Sequence, residues 1–211
     1  MHPTLSLNEN LAMPPVPLGL IGLGHWPRET YLPLLLERPD VEVVAVAARS
    51  EKTRAFARQH FGPRTALYAD YADLLADPRL SAVMIALPNP QHHAVTLEAI
   101  QAQKHVWIEP PLGLREAEIE AVLAAAETSS HVFQADLELR CLPVVKEMRS
   151  RLAAGDFGSP LSARVKLWCD WGYGGGKWNQ DPASEGFFLW LGTWYLDVLD
   201  ALFAAEPTQV A

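Results

Sequence analysis

The residues best placed to do chemistry stand where the chain's first apolar run ends: Gly19-Leu-Ile-Gly22-Leu-Gly24-His25-Trp26-Pro27. An apolar run that closes on glycines and opens into a helix is a way for bare backbone to cradle a pyrophosphate. Gly22 makes the tight turn and Gly24 lets a phosphate approach the main chain. The following helix N-terminus, at His25 and Trp26, supplies N–H groups and the positive end of a dipole. The third fingerprint position is usually Gly or Ala; here it is Pro27, which the first turn of a helix accepts. A tight strand–helix turn in an unrelated doubly wound fold is the competing explanation. The second strand ends Ala47-Ala48-Arg49-Ser50. A carboxylate there accepts hydrogen bonds from the ribose hydroxyls of NAD and repels a 2′-phosphate. Ala48 removes that repulsion, Arg49 offers a planar cation, and Ser50 adds a hydroxyl at the next helix start. NADP is therefore expected ahead of NAD, the alternative for Arg49 being an ordinary solvated loop arginine.

The elements that must hold these residues follow a regular alternation. Leu18–Gly22, Val41–Ala47, Ala82–Leu87, His105–Ile108 and His131–Gln134 are expected strands. Between them, Pro27–Glu37, Glu51–His60, Asp70–Ala76, His93–Gln103 and Arg115–Glu127 are expected helices. Val41–Ala47 holds four valines and one charge, as a strand covered on both faces should. Ser50 is a good N-cap, and Gly62 stands just past the helix it starts. Strands alternating with helices of this length predict βαβ units and a parallel sheet. After Arg140 the pattern changes. A helix over Leu142–Ala153 leads to an alternating strand over Leu161–Trp168, a Gly/Trp-rich stretch over Asp170–Gly186, and an apolar helix over Phe187–Phe203.

Composition narrows the field. The chain has 211 residues, enough for one domain and part of another, and 49% of them are hydrophobic. Its net charge of −8 and lack of a basic stripe argue against a nucleic-acid partner. Its apolar runs fall short of the roughly 20 residues a membrane span needs. Cys141 and Cys169 lack metal or redox spacing, so no metal site is expected. Residues 1–16 have no periodicity and no signal-peptide pattern, and are expected to form a disordered leader on a cytoplasmic protein.

Two further segments carry a family resemblance. Leu87-Pro88-Asn89-Pro90-Gln91-His92 resembles the Pro-Asn-x-x-His turn of the Gfo/Idh/MocA oxidoreductases. His105-Val-Trp-Ile-Glu109-Pro110-Pro111-Leu112 is similar to their His-Val-x-x-Glu-Lys-Pro-Leu segment. The resemblance covers roughly residues 17–210 and implies an α/β protein. Its parts would be a doubly wound parallel-sheet Rossmann domain over 17–135 and an incomplete α+β second domain over 136–211. It further implies hydride transfer between NAD(P) and a sugar, cyclitol or related alcohol. Pro88, Asn89, His92 and Glu109 would then join Gly22, Gly24, His25, Trp26, Arg49 and Ser50 in binding the cofactor.

The departures from that pattern bear on the chemistry. The family lysine is Pro110, and the family's aspartate and histidine positions become Trp190 and Trp194, with the register held by Gly186, Gly192 and Asp197. Oxidising an alcohol needs a group that takes the hydroxyl proton, and an indole N–H only donates. His92, Glu109 and Tyr195 are the remaining catalytic candidates, with a turn-orienting role as the alternative for His92. Tyr173, Asp170 and Lys177 lie in the Gly-rich loop. The expected function is an NADP-dependent oxidoreductase for a small carbohydrate-like alcohol or ketone, with non-standard catalytic residues. The alternative is a catalytically inactive relative serving as a dinucleotide sensor or complex subunit. Leu191, Leu196, Leu199 and Leu202 are expected to form an exposed stripe that a second copy or another partner covers.

Overall fold

The computed structural model describes residues 14–159, 161–168 and 188–203. Six strands form one sheet in the order β3-β2-β1-β4-β5-β6. They are β1 (Val16–Ile21), β2 (Val41–Ala47), β3 (Ala66–Tyr68), β4 (Ala82–Ile85), β5 (His105–Ile108) and β6 (Phe133–Ala135). The helices between them are α1 (His25–Glu37), α2 (Glu51–Phe61), α3 (Tyr71–Leu75), α4 (His92–Gln101) and α5 (Glu116–Thr128). The last two helices are α6 (Pro143–Ala154) and α7 (Thr193–Phe203). β1 pairs with β2, β2 with β3 and β5 with β6, all parallel. This is the doubly wound order expected from alternating strands and helices.

By internal contacts the chain divides into two compact units, residues 1–84 and residues 85–211. The core of the first comes from the strands: Leu20, Val46 and Val83 are fully buried, as is Leu74 of α3. β2 is valine-rich because both faces are covered, and Glu42, near its start, is exposed. α2 starts where Ser50 Oγ accepts the Thr53 N–H at 3.4 Å, and α3 where Asp70 accepts the Ala72 N–H at 2.9 Å. In the second unit Ile85, Ile108, Val95 and Val122 fill the corresponding core.

Two expectations need correction. Leu161–Trp168 is not a strand: it carries no regular secondary structure, and Leu161 and Trp168 are 97% and 89% exposed. Alternating polarity suits a strand only where a neighbour supplies ladder bonds and a surface to cover one face, and this segment has neither among the described residues. The leucine stripe is not exposed as a whole either. Leu191 is buried, Leu199 and Leu202 are half-buried, and only Leu196 is open. α7 packs on α6 and on the turn at Glu138–Cys141, and this covers most of the stripe. The apolar helix itself forms, opening with a π turn over Phe188–Gly192 in which Thr193 Oγ1 donates to Leu189 O at 3.0 Å. The leader residues 1–13 and the loop residues Asp170, Tyr173, Lys177 and Gly186 lie outside the described residues. Val16, expected in the leader, is the first residue of β1.

β3 was not expected, being only three residues long, and one buried carboxylate ties it to the turn before β4. Asp77 accepts from the Tyr68 hydroxyl at 3.0 Å and from the Arg79 backbone N–H and Nε, both at 3.0 Å. The Arg79 guanidinium holds the Asp77 carboxyl down at about 2, against the burial that raises it. A carboxyl lowered on folding stabilises the protein above its unfolded value near 4, and that contribution fades as pH falls through about 2. Asp77→Asn should therefore cost about 1–2 kcal/mol at pH 7, discounted because Arg79 is half exposed. The difference from wild type should shrink toward zero near pH 2, as read by urea unfolding at both pH values.

Candidate functional site

In the first unit the strand-to-helix corner after β1 is built as a bare cradle. Gly22 has φ +92°, a conformation that L side chains rarely adopt, and its N–H donates to Ala47 O at 3.0 Å. Gly24 is the N-cap of α1, and a Cβ placed on it would meet nothing within 4 Å. The space in front of the backbone is open where a phosphate would sit. No acidic residue lies in the first turn of α1, so the positive end of the helix is not offset there. His25 and Trp26 are exposed at that end, and His25 Nε2 lies 3.3 Å from Glu29. Pro27 is buried without disturbing the helix.

Two arginines that carry no motif hold this corner and its neighbour in shape. Arg28 donates through Nε to Leu23 O at 2.9 Å and through Nη2 to Thr53 Oγ1 at 3.0 Å. Its guanidinium stacks 4.1 Å from the centre of the Phe56 ring. Arg54 donates through Nη1 to Ala48 O at 2.6 Å and to Arg49 O at 2.8 Å, fixing the turn on which Arg49 and Ser50 are exposed. Neither shows up as a spacing pattern, because each acts through backbone carbonyls. Arginine is nonetheless the residue type that could have prompted the search.

The second unit places its site residues differently. Pro88 is half-buried, while Asn89, His92 and Glu109 are buried. His92 Nδ1 is 2.8 Å from Pro111 O and Nε2 is 2.7 Å from Leu87 O. A neutral imidazole has one N–H and can donate to only one of these carbonyls at a time. A charged ring would donate to both, yet burial pushes the imidazole below the ordinary histidine value against the pull of the two carbonyls. Both ring nitrogens lie against backbone carbonyls, one of them bonded at a time, so His92 bridges the turn after β4 and the turn after β5. The turn-orienting alternative fits this geometry, whereas a catalytic hydroxyl would find no ring nitrogen open. Glu109 is set by its backbone, its N–H donating to Ile85 O at 3.1 Å. Pro110, also buried, joins Pro111 through a cis peptide bond. The Asn89 Nδ2 is buried with no acceptor among the described residues.

On α7, Tyr195 is half-buried and Trp194 donates its indole N–H to Glu138 Oε2 at 2.6 Å. Beside them Arg140 forks onto Asp197, with Nε 2.7 Å from Oδ2 and Nη2 bonded to Oδ1. Asp197 thus anchors α7 to the Glu138–Cys141 turn. Burial raises the Glu138 carboxyl above the ordinary glutamate range. The charges of Asp136 and Asp197 add to the rise, while a backbone contact and the Trp194 bond oppose it. Glu138 is a residue that sequence reasoning missed, since nothing in its spacing sets it apart from other surface glutamates. Among the described residues no group of three or more His, Cys, Asp or Glu side chains is placed to hold a metal ion. No helix among them is long and apolar enough to cross a membrane.

The residues present fit a dinucleotide. Gly22 turns the chain with a positive φ, Gly24 leaves open space at a helix N-terminus, and Arg49 and Ser50 are exposed at the end of β2. In the second unit, Asn89 keeps an unspent amide donor. Comparison with known proteins agrees with this fit. The GFO_IDH_MocA family, described as an oxidoreductase family with an NAD-binding Rossmann fold, matches residues 16–137. Trans-1,2-dihydrobenzene-1,2-diol dehydrogenase of Oryctolagus cuniculus is 35% identical over 133 residues, covering 63% of this chain and 40% of that enzyme. Myo-inositol dehydrogenase from Lactobacillus casei, solved with NAD(H) and myo-inositol, is 27% identical with a TM-score of 0.65, over 70% of this chain and 44% of that one. KijD10, a 3-ketoreductase from Actinomadura kijaniata solved with NADP and TDP-benzene, is 26% identical with a TM-score of 0.62, over 69% and 44%. The chain spans about half the length of the curated relatives it matches.

If His92 is a clamp, His92→Ala strands the carbonyl that its N–H holds and opens a cavity. The loss should be about 2–4 kcal/mol at pH 8 in guanidinium unfolding. A variant as stable as wild type would discard the clamp.

Proposed function

This chain belongs to the Gfo/Idh/MocA oxidoreductase family, and we propose on that premise that it is an NADP(H)-dependent oxidoreductase. Its substrate would be a carbohydrate-like alcohol or ketone. Residues 17–135 serve as the nucleotide-binding domain and residues 136–211 as part of the substrate domain. The observation that carries the cofactor choice is the turn after β2. Where a carboxylate would meet ribose hydroxyls stand Ala48, Arg49 and Ser50, with Arg54 fastened to the carbonyls of Ala48 and Arg49. Solved structures similar to this chain include one with NAD(H) and one with NADP, so the support for NADP here is this turn alone.

In this reading each residue of the site has a task. Gly22 and Gly24 admit the pyrophosphate to the backbone, and the N–H groups at His25 and Trp26 face it. Arg49 and Ser50 receive the 2′-phosphate, Arg49 by charge and a fork of donors, Ser50 by its hydroxyl. The family resemblance assigns Pro88, Asn89 and Glu109 to the nicotinamide, and His92 bridges two turns of their unit. A bound nicotinamide supplies the hydride donor or acceptor. The substrate class rests on the dehydrogenases and ketoreductase named above.

A second reading has an observation behind it. Pro110, Trp190 and Trp194 stand at all three usual proton-handling positions, which favours a chain that binds the dinucleotide without turning over. Binding and turnover separate the two. NADPH should quench tryptophan fluorescence more tightly than NADH. Arg49→Ala should weaken NADPH roughly 10- to 100-fold, the worth of a charge-assisted hydrogen bond, and leave NADH almost unchanged. Equal losses on both would discard the 2′-phosphate assignment. Myo-inositol and trans-1,2-dihydrobenzene-1,2-diol are the alcohols to assay. Oxidation of either supports the enzyme, and tight NADPH binding without turnover supports the sensor.

A further inference from the structure

We propose that Arg54 is a positioning residue for coenzyme preference: it holds the turn after β2 so that Arg49 meets the 2′-phosphate, and it acts on that phosphate only through Arg49. The inference rests on the NADP(H) reading above and deepens it. The residues involved all lie in the first unit.

The donors at this turn are divided between two arginines. Arg54 stands at the end of the first turn of α2, its own N–H donating to Ser50 O at 3.1 Å. A helical side chain leans toward the N-terminus, so the Arg54 guanidinium reaches back to the residues before the helix. There Nη1 donates to Ala48 O at 2.6 Å and to Arg49 O at 2.8 Å. The Arg49 guanidinium, by contrast, has no hydrogen-bond or ion-pair partner among the described residues, not even the exposed Glu51 two positions on. One arginine is committed to carbonyls and the other keeps its five N–H donors for a ligand.

Main chain fixes only the near side of the turn. The Ala48 N–H donates to Tyr68 O at 3.0 Å, which ties Ala48 to β3. Arg54 supplies the donor that holds the next carbonyl, that of Arg49. Removing Arg54 therefore leaves Ala48 anchored and releases Arg49. A peptide held through its carbonyl fixes the direction in which its side chain leaves the backbone. That ordering is in place before a ligand arrives and does not have to be made on binding. NADH has no 2′-phosphate for Arg49 to receive, so the ordering favours NADPH.

The test is a double-mutant cycle on the full chain, with Kd for NADPH and NADH read by calorimetry and stability by urea unfolding. Arg54→Met keeps an unbranched, helix-forming side chain and removes the donors. It should raise Kd for NADPH about 5- to 30-fold, the cost of ordering one residue's backbone, and move NADH by less than about twofold. In the Arg49→Ala background the same substitution should cost NADPH nothing further, because the residue it positions is gone. Arg54→Lys keeps a charge without the planar fork and should show a smaller loss of the same selective kind, which carries the test if Arg54→Met does not fold. Losses that add in the double variant mean that Arg54 meets the phosphate itself, and overturn the assignment. Equal losses for both coenzymes also overturn it, as does a lowered urea midpoint with both Kd values kept, since a brace with no part in selection behaves that way. In those cases Arg49→Ala still weakens NADPH selectively and the NADP(H) reading stands. If Arg49→Ala leaves the preference for NADPH intact, that reading fails and this inference with it.

Discussion

The first unit depends on backbone left bare at the corner between β1 and α1. A phosphate group can reach main-chain N–H groups only if no side chain intervenes and the turn keeps its shape in the absence of ligand. Gly22 and Gly24 meet the first condition, one by a positive φ and the other by the open space before it. The second is met from outside the motif. Arg28 binds the Leu23 carbonyl between the two glycines, and Arg54 binds the carbonyls of Ala48 and Arg49 at the end of β2. One device is used twice: a guanidinium ties down the carbonyl side of a turn and leaves other groups of that turn for a ligand. Pre-ordering of this kind lowers the conformational entropy that binding would otherwise cost.

In the second unit the polar side chains sort by whether they face backbone or each other. His92 lies against the Leu87 and Pro111 carbonyls and bridges two turns. Glu138, Arg140, Trp194 and Asp197 form pairs that lock the turn after β6 onto α7. Within that group the cation and one carboxylate neutralise each other, while the other carboxylate receives only a neutral indole donor. A charged acid with a neutral partner stays protonatable near its own range; one in a fork with arginine does not.

Much of this was legible from residue order. Valine-rich β2, the Ser50 cap and the glycine corner are local signals, and local signals survive into the fold because each is decided within one turn or one strand. β3 was missed because three residues carry no period. Leu161–Trp168 has the period of a strand but not the neighbour that would make it one, and alternation alone says nothing about pairing. The roles of Arg28, Arg54 and Glu138 were hidden for a related reason. Their partners are carbonyls or side chains up to 56 residues away, set by packing and not by spacing. His92 was visible as a histidine in a telling turn, and its chemistry was decided by two carbonyl contacts that no sequence pattern displays.

The tryptophan at position 194 links these observations. Read as a lost histidine it implies lost catalysis, because indole neither accepts nor releases a proton in water near neutral pH. Read with its partner it has a different consequence. A short N–H···O bond fixes a carboxylate without neutralising it, and a donor that cannot ionise does this across a wide pH range, where an imidazole in the same place would titrate.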